Sequence, residues 1–264
     1  MKIVFDHRLY PAGLSVAGPS SKGLRYGDGL FETMKVIRGC LLLASYHFER
    51  LFAGLRKLRF EIPEDFSPDI LEREILKLCQ ENELEALARV RLNVFRGADD
   101  ELEYVLETFP LEQAFDPRGM EIGVFGEGRK SADAFSALKS NNYLVYLMGA
   151  AWARARGLDE CLILNAWERV ADTSVHNLFY IMDGVLHTPP LSEGGVAGVM
   201  RRYVVEHYPV VERPVTPAGL EEASEVFLTN AIAGIRWVNQ FGEKKYTHET
   251  AREIGSLLKA SLQP

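Results

Sequence analysis

The chain has 264 residues, 47% of them hydrophobic and 25% charged, with a formal net charge of -7. That length accommodates one large or two modest domains with buried cores, and the composition is that of a globular rather than a disordered protein. The acidic balance argues against a nucleic-acid or anionic-membrane partner, and no apolar run is long enough for a signal peptide or a bilayer span, so a soluble protein is expected.

Three widely spaced cysteines, Cys40, Cys79 and Cys161, make a disulfide framework improbable and point to a reducing cytoplasm. Six histidines are scattered without HxxxH or Cys-His spacing, so no metal site is assigned.

Along the chain, the glycine-rich lead-in Tyr26-Gly27-Asp28-Gly29 precedes FETMKVI, and Arg38-Gly39 before CLLLA predicts a hairpin over 31–44. Phe48, Leu51, Phe52, Leu55 and Leu58 recur at helical spacing, which predicts an amphipathic helix from Ser45 to about Phe60. Ser67-Pro68 opens a second helix with Leu71, Ile75 and Leu78 as its apolar stripe, ending near Asn82. Residues 89–94 alternate polar with apolar as a half-buried strand does, and another strand follows near 104–109.

PLEQAFDPRG then loses both periodicities and carries two prolines and a glycine. It divides the chain into an N-terminal α/β domain (1–110), a linker (111–118) and a C-terminal domain (119–264).

Beyond it, Leu144, Leu147, Met148, Ala151 and Ala155 mark a helix that ends before Gly157, which puts Lys139 at the helix entrance. CLIL (161–164) reads as a buried strand, Asp183-Gly184 as the turn of a hairpin within 177–188, and Gly194-Gly195-Val196-Ala197-Gly198 as a loop into a helix through His207. EVFLTN (225–230) is a strand running into a small-residue turn, and 247–262 a closing helix.

On local grounds alone Lys139 reads first as a solvated surface lysine and the glycine-rich run as an ordinary loop, each with a chemical alternative. Lys139, flanked by Ala137 and Leu138 and followed by Ser140-Asn141-Asn142, could sit partly desolvated, a setting that lowers an amine's pKa and favours Schiff-base chemistry. The glycine-rich run 194–198 before a helix offers backbone N–H groups and a positive dipole end to a phosphate. It lacks G-x-G-x-x-G spacing, and G-x-x-x-x-G-K-[ST] is missing from the chain, so dinucleotide and nucleoside-triphosphate chemistry are disfavoured.

More specific is the order of YGDGLFET (26–33), HFERL (47–51), LKSNNY (138–143), ADTSVHNLF (171–179), GVAGVMR (195–201) and EVFLTNA (225–231). Together these resemble the class IV aminotransferase family, the fold-type IV pyridoxal-phosphate enzymes, from about Tyr26 to Val238. The resemblance implies a two-domain α/β protein of the D-amino-acid-aminotransferase-like fold, cofactor in the interdomain cleft, and a homodimer.

It also implies roles. Lys139 matches the lysine that holds pyridoxal 5'-phosphate covalently, and Arg50 the arginine on its phosphate. Gly198, Val199, Met200, Asn230 and Ala231 match the two turns that cap the same phosphate, with Met200 and Ala231 where branched-chain members carry threonines.

Asp172 stands where the family has a glutamate on the pyridine nitrogen; being one methylene shorter, it reaches that nitrogen directly after a backbone shift or through a water. Tyr143 either lines the cofactor pocket or packs in the helix core. Thr33 matches a position on the substrate side. Arg89 and Arg91 match groups receiving the substrate carboxylate, or else form a solvated edge face.

The compact length and the Thr229-Asn230-Ala231 turn look more like 4-amino-4-deoxychorismate lyases, which make 4-aminobenzoate and pyruvate for folate synthesis. A branched-chain or D-amino-acid aminotransferase is the second expectation. A non-catalytic binding relative is the third, motivated by Asp172 and the lost threonines.

Overall fold

The computed structural model describes residues 1–112 and 118–261, so the expected linker falls largely outside the described residues. By internal packing the chain divides into two compact units: the first takes the residues up to 112 together with Lys139–Asn142, the second takes 118–138 and 143–261.

The first unit runs β1 (Lys2–Phe5), β2 (Arg8–Pro11), α1 (Lys22–Tyr26), β3 (Gly29–Ile37), β4 (Cys40–Leu41), α2 (Ala44–Lys57), α3 (Pro68–Glu81), β5 (Leu87–Arg96) and β6 (Leu102–Pro110). Its strands form one antiparallel sheet in the order β2-β1-β6-β5-β3-β4. Both long helices bury the stripe their spacing predicts, Phe48, Leu51 and Leu55 from α2 and Leu71, Ile75 and Leu78 from α3.

Alternation on the central strands separates the two faces of this sheet. Leu30, Met34, Val36, Val90, Leu92, Val94 and Leu106 are buried on the helix-covered face. The other face presents Phe31, Thr33 and Lys35 from β3, in register with Asn93, Arg91 and Arg89 of β5. β5 is an interior strand, so Arg89 and Arg91 do not lie on a sheet edge, but Arg89 is solvent-exposed and Arg91 half-buried.

The second unit runs β7 (Met120–Lys130), α4 (Leu144–Ala155), β8 (Glu160–Asn165), β9 (Val170–Thr173), β10 (Asn177–Met182), β11 (Val185–Thr188), α5 (Val199–His207), β12 (Val210–Glu212), α6 (Pro217–Glu221), β13 (Glu225–Asn230), β14 (Gly234–Phe241), β15 (Lys244–Lys245) and α7 (Glu249–Ser261). Eight of its strands follow the order β12-β11-β10-β13-β14-β7-β8-β9, and β15 pairs with β14. β8 is buried on both faces, which is why CLIL reads as a continuous apolar run. One face packs Phe125, Cys161, Ile163 and Val196 with Tyr146 and Ala153 of α4; the other packs Ile122, Leu162, Leu164, Leu178, Val226 and Leu228.

Lys139 is not at a helix entrance, because α4 begins at Leu144. The segment instead lies along β3: Phe31 N donates to Lys139 O at 2.9 Å, and Asn141 N to Gly29 O at 3.0 Å. A Cβ on Gly29 would meet Val94 O at 2.3 Å and Asn141 Nδ2 at 2.6 Å, so only glycine lets the segment lie so close.

Candidate active site

The first unit holds two groups of candidate residues. On the face opposite α2, Lys139 Nζ stands 4.4 Å from the centroid of the Phe31 ring and the Arg91 guanidinium 4.2 Å from it. Arg89 lies 4.6 Å over the Phe109 ring, one cross-strand row further along. Thr33 is half-buried in the same row as Arg91 and Glu107. The aromatic face orients half-buried Lys139 and Arg91 over Phe31, while Arg89 lies over Phe109 at an exposed position.

Behind β3, Glu32 points toward α2. Its carboxylate accepts from His47 Nδ1 at 2.7 Å and from Arg50 Nε at 2.7 Å, and a second short bond from the Arg50 guanidinium makes that pair bidentate. Burial pushes the Glu32 carboxyl up, but the Arg50 charge and the His47 bond outweigh it and hold the group at about 2. Burial pulls the His47 imidazole down and the Arg50 and Lys139 charges pull the same way, against its bond to Glu32 and the charge of that carboxylate. Arg50 therefore sits with its fork oriented by a buried carboxylate.

In the second unit the centre is Asp172, buried on β9. One carboxylate oxygen accepts from Asn177 Nδ2 at 3.1 Å and the other from Val196 N at 3.0 Å. Asn177 also donates to Val196 O at 2.8 Å, and its side-chain oxygen would lie 1.8 Å from a Cβ on Gly198. Glycine is thus required where the loop turns into α5, whose first turn (Val199, Met200) is capped by no side chain.

The loop 172–177 rests on a buried pair: Glu160 accepts from Ser174 N at 3.0 Å and from His176 Nδ1 at 2.9 Å. Tyr143 donates its hydroxyl to Ser174 O at 3.0 Å and lies tilted against the Tyr146 ring, centroids 4.6 Å apart, which ties it to this loop as well as to α4. Asn230 reaches the same loop through Val175 O at 3.4 Å, while its side-chain oxygen accepts from Ile232 N at 3.0 Å and Ala233 N at 2.7 Å, shaping the turn that carries Ala231.

The residues named from sequence therefore gather in two places: Lys139, Thr33, Arg89 and Arg91 on one sheet face, with Arg50 behind it; Asp172, Tyr143, Gly198, Val199, Met200, Asn230 and Ala231 around one loop. Sequence reasoning passed over Phe31, Glu32 and His47 in the first and Lys130 and Tyr146 in the second. Glu32 had a signal, an acidic residue between Leu30 and Met34 on the apolar face of a strand.

The fold recurs in known proteins. A branched-chain aminotransferase from Thermoproteus uzoniensis, solved with norvaline, superposes with a TM-score of 0.91 at 23% identity over 99% of this chain and 94% of that one, a likeness of fold. The 4-amino-4-deoxychorismate lyase of Pseudomonas aeruginosa superposes at 0.84 with 31% identity over 98% of this chain and 99% of that one. A relative from Methanocaldococcus jannaschii, described as a putative branched-chain-amino-acid aminotransferase, is 28% identical over 98% of this chain and 94% of its own length.

The fold is thus that of the fold-type IV pyridoxal-phosphate enzymes. The family described as amino-transferase class IV matches residues 29–241, and the chain belongs to it. Its relatives include both transferases and lyases, so membership fixes the class of enzyme and leaves the reaction to the substrate side of the site.

Proposed function

We propose that the chain binds pyridoxal 5'-phosphate and acts as a 4-amino-4-deoxychorismate lyase, releasing 4-aminobenzoate and pyruvate. The donor set fits the cofactor: an amine held over an aromatic ring, a buried carboxylate on a tight loop, an oriented arginine, and an uncapped helix start entered through a glycine that tolerates no Cβ. Bound pyridoxal phosphate supplies an electron sink for the carbon bearing the substrate amine. Lys139 holds the cofactor and moves the proton at that carbon; Asp172 holds a proton at the ring nitrogen; Arg50 and the backbone N–H groups after Gly198, with the 230–231 turn, take the phosphate.

The observation that carries the lyase reading is the cation-bearing face of the six-stranded sheet, opposite α2. Arg91 shares the Phe31 ring with Lys139, and Arg89 and Lys35 form the next row outward. Aminodeoxychorismate has two carboxylates, and Arg91 beside the Phe31 ring with Arg89 and Lys35 one row on suit them, although Glu107 shares the Arg91 row; a branched aliphatic side chain calls for an apolar wall instead.

The test is to supply aminodeoxychorismate without a keto acid. Release of 4-aminobenzoate is expected, and Arg91→Ala should raise KM roughly 10- to 100-fold, the worth of about 1.5–3 kcal/mol for a hydrogen bond to a charged group. Rapid amino transfer between leucine or D-alanine and 2-oxoglutarate, with no aminobenzoate, would make the chain an aminotransferase.

A homodimer accompanies this reading. The outer side of α4 exposes Leu144, Leu147 and Met148 at 71%, 60% and 47%, an apolar stripe at helical spacing that a second copy would cover. Sedimentation of Leu147→Glu as a monomer beside a dimeric parent would support it.

A further inference from the structure

Lys130 and Tyr146 have no part in the chemistry above, yet both belong to the surroundings of Asp172. Lys130 ends β7 opposite Asn165 of β8, and Asp172 on β9 lies opposite Ile163 of the same strand. Positions 163 and 165 share the α4-facing side, so the lysine and the aspartate flank β8 on one face. The half-buried ammonium donates to Ser136 O at 3.0 Å and stands 5.7 Å from the centroid of the buried Tyr146 ring.

Its support is fixed. The Ser136 hydroxyl donates to Asp133 at 2.9 Å and accepts from Asp133 N at 2.8 Å. A Cβ on Gly194 would strike Ser131 O at 2.2 Å, and one on Gly195 would stand 3.7 Å from Asp172 Cγ, so segment 131–136 and β9 close on the same pair of glycines. Burial pulls the Lys130 amine down while the Asp172 and Asp133 charges draw it back up; burial and the charges of Asp172 and Tyr143 push the Tyr146 hydroxyl well above its ordinary value. The ionisable groups meeting here are Lys130, Asp133, Tyr143, Tyr146 and Asp172.

We propose that Lys130 is a positioning residue that limits how strongly Asp172 holds a proton on the cofactor's ring nitrogen. The proposal rests on the reading that Asp172 serves that nitrogen. The carboxylate already accepts from Val196 N and Asn177 Nδ2, and a nearby cation lowers its basicity further and opposes positive charge on a ring beside it. A lysine that gives its hydrogen bond to a carbonyl acts by charge, so arginine should replace it and methionine should not.

The experiment loads wild type, Lys130→Met, Lys130→Arg and Asp172→Asn with pyridoxal phosphate carrying 15N in the ring, and follows the 15N shift from pH 5 to 10. Lys130→Met should raise the protonation equilibrium of the ring nitrogen about tenfold, Lys130→Arg should stay with wild type, and Asp172→Asn should lower it. Melting of each cofactor-free protein reports folding, and Lys130→Gln replaces the methionine variant if that one fails to fold.

Coincident titration of Lys130→Met and wild type, with Asp172→Asn displaced, overturns the proposal and leaves the reading of Asp172 standing. No displacement in Asp172→Asn removes both. A wild-type nitrogen protonated throughout the range also overturns it, since Asp172's hold is then not limited.

Discussion

Replacing Glu32 by glutamine isolates the polar group buried between β3 and α2. Glu32 is 1% exposed and His47 fully buried, so water cannot take over the bonds that Arg50 and His47 make to the carboxylate. The interval from an ordinary 4.5 to about 2 corresponds to on the order of 3 kcal/mol in favour of the folded first unit. A carboxyl whose folded value is depressed contributes fully above its unfolded value and loses that contribution as pH falls toward the folded one. Wild type should therefore exceed Glu32→Gln by on the order of 3 kcal/mol at pH 7 and by only about half of that at pH 3.

Tryptophan fluorescence would miss this, because Trp152, Trp167 and Trp237 all lie in the second unit. Hydrogen exchange of peptides covering β3 and β5, corrected for intrinsic rates, reports opening of the first unit directly. A difference below about 1 kcal/mol at pH 7, or one that does not shrink at pH 3, would refute the claim that the ion pair outweighs its burial.

Borohydride treatment of the loaded protein should fix cofactor mass on the peptide containing Lys139; label on any other lysine removes that assignment. Arg50→Ala should weaken retention of pyridoxal phosphate far more than Arg56→Ala, because Arg50 alone is oriented by Glu32 while Arg56 is exposed on α2; equal retention, measured by equilibrium dialysis, would count against a phosphate role. Glu160→Gln should destabilise the loop 172–177 at neutral pH, seen as faster exchange of amides 173–177, and the difference from wild type should fade in acid because burial raises the Glu160 carboxyl less than His176 and the backbone donors lower it.

The elements with a clear period were legible in sequence: α2, α3, β5 and the β10–β11 hairpin stand close to their expected limits. The β1–β2 hairpin was not, because its turn uses Asp6 and His7 at φ 42° and 65° with no glycine or proline to announce it. β7 was obscured by Gly123, Gly126 and Gly128, which interrupt alternation, and the expected position of Lys139 failed because local pattern cannot register hydrogen bonds to a strand more than a hundred residues earlier. Family motifs brought out Lys139, Arg50 and Asp172, but the bonds that Glu32 makes to Arg50 and that Asn177 makes to Asp172 join different elements and form only on folding.

The four residues Lys139–Asn142 belong to the first unit although the chain on either side belongs to the second. Modularity in this protein is therefore incomplete. A gene fragment stopping at residue 112 would encode the six strands of the first sheet but leave Gly29 and Phe31 without the backbone partners they have here, and without the lysine those partners carry. Recombination of units between relatives can preserve the amine over Phe31 only if this short stretch travels with the N-terminal sheet, so the lysine and the ring it faces should be inherited together rather than with the sequence flanking the lysine.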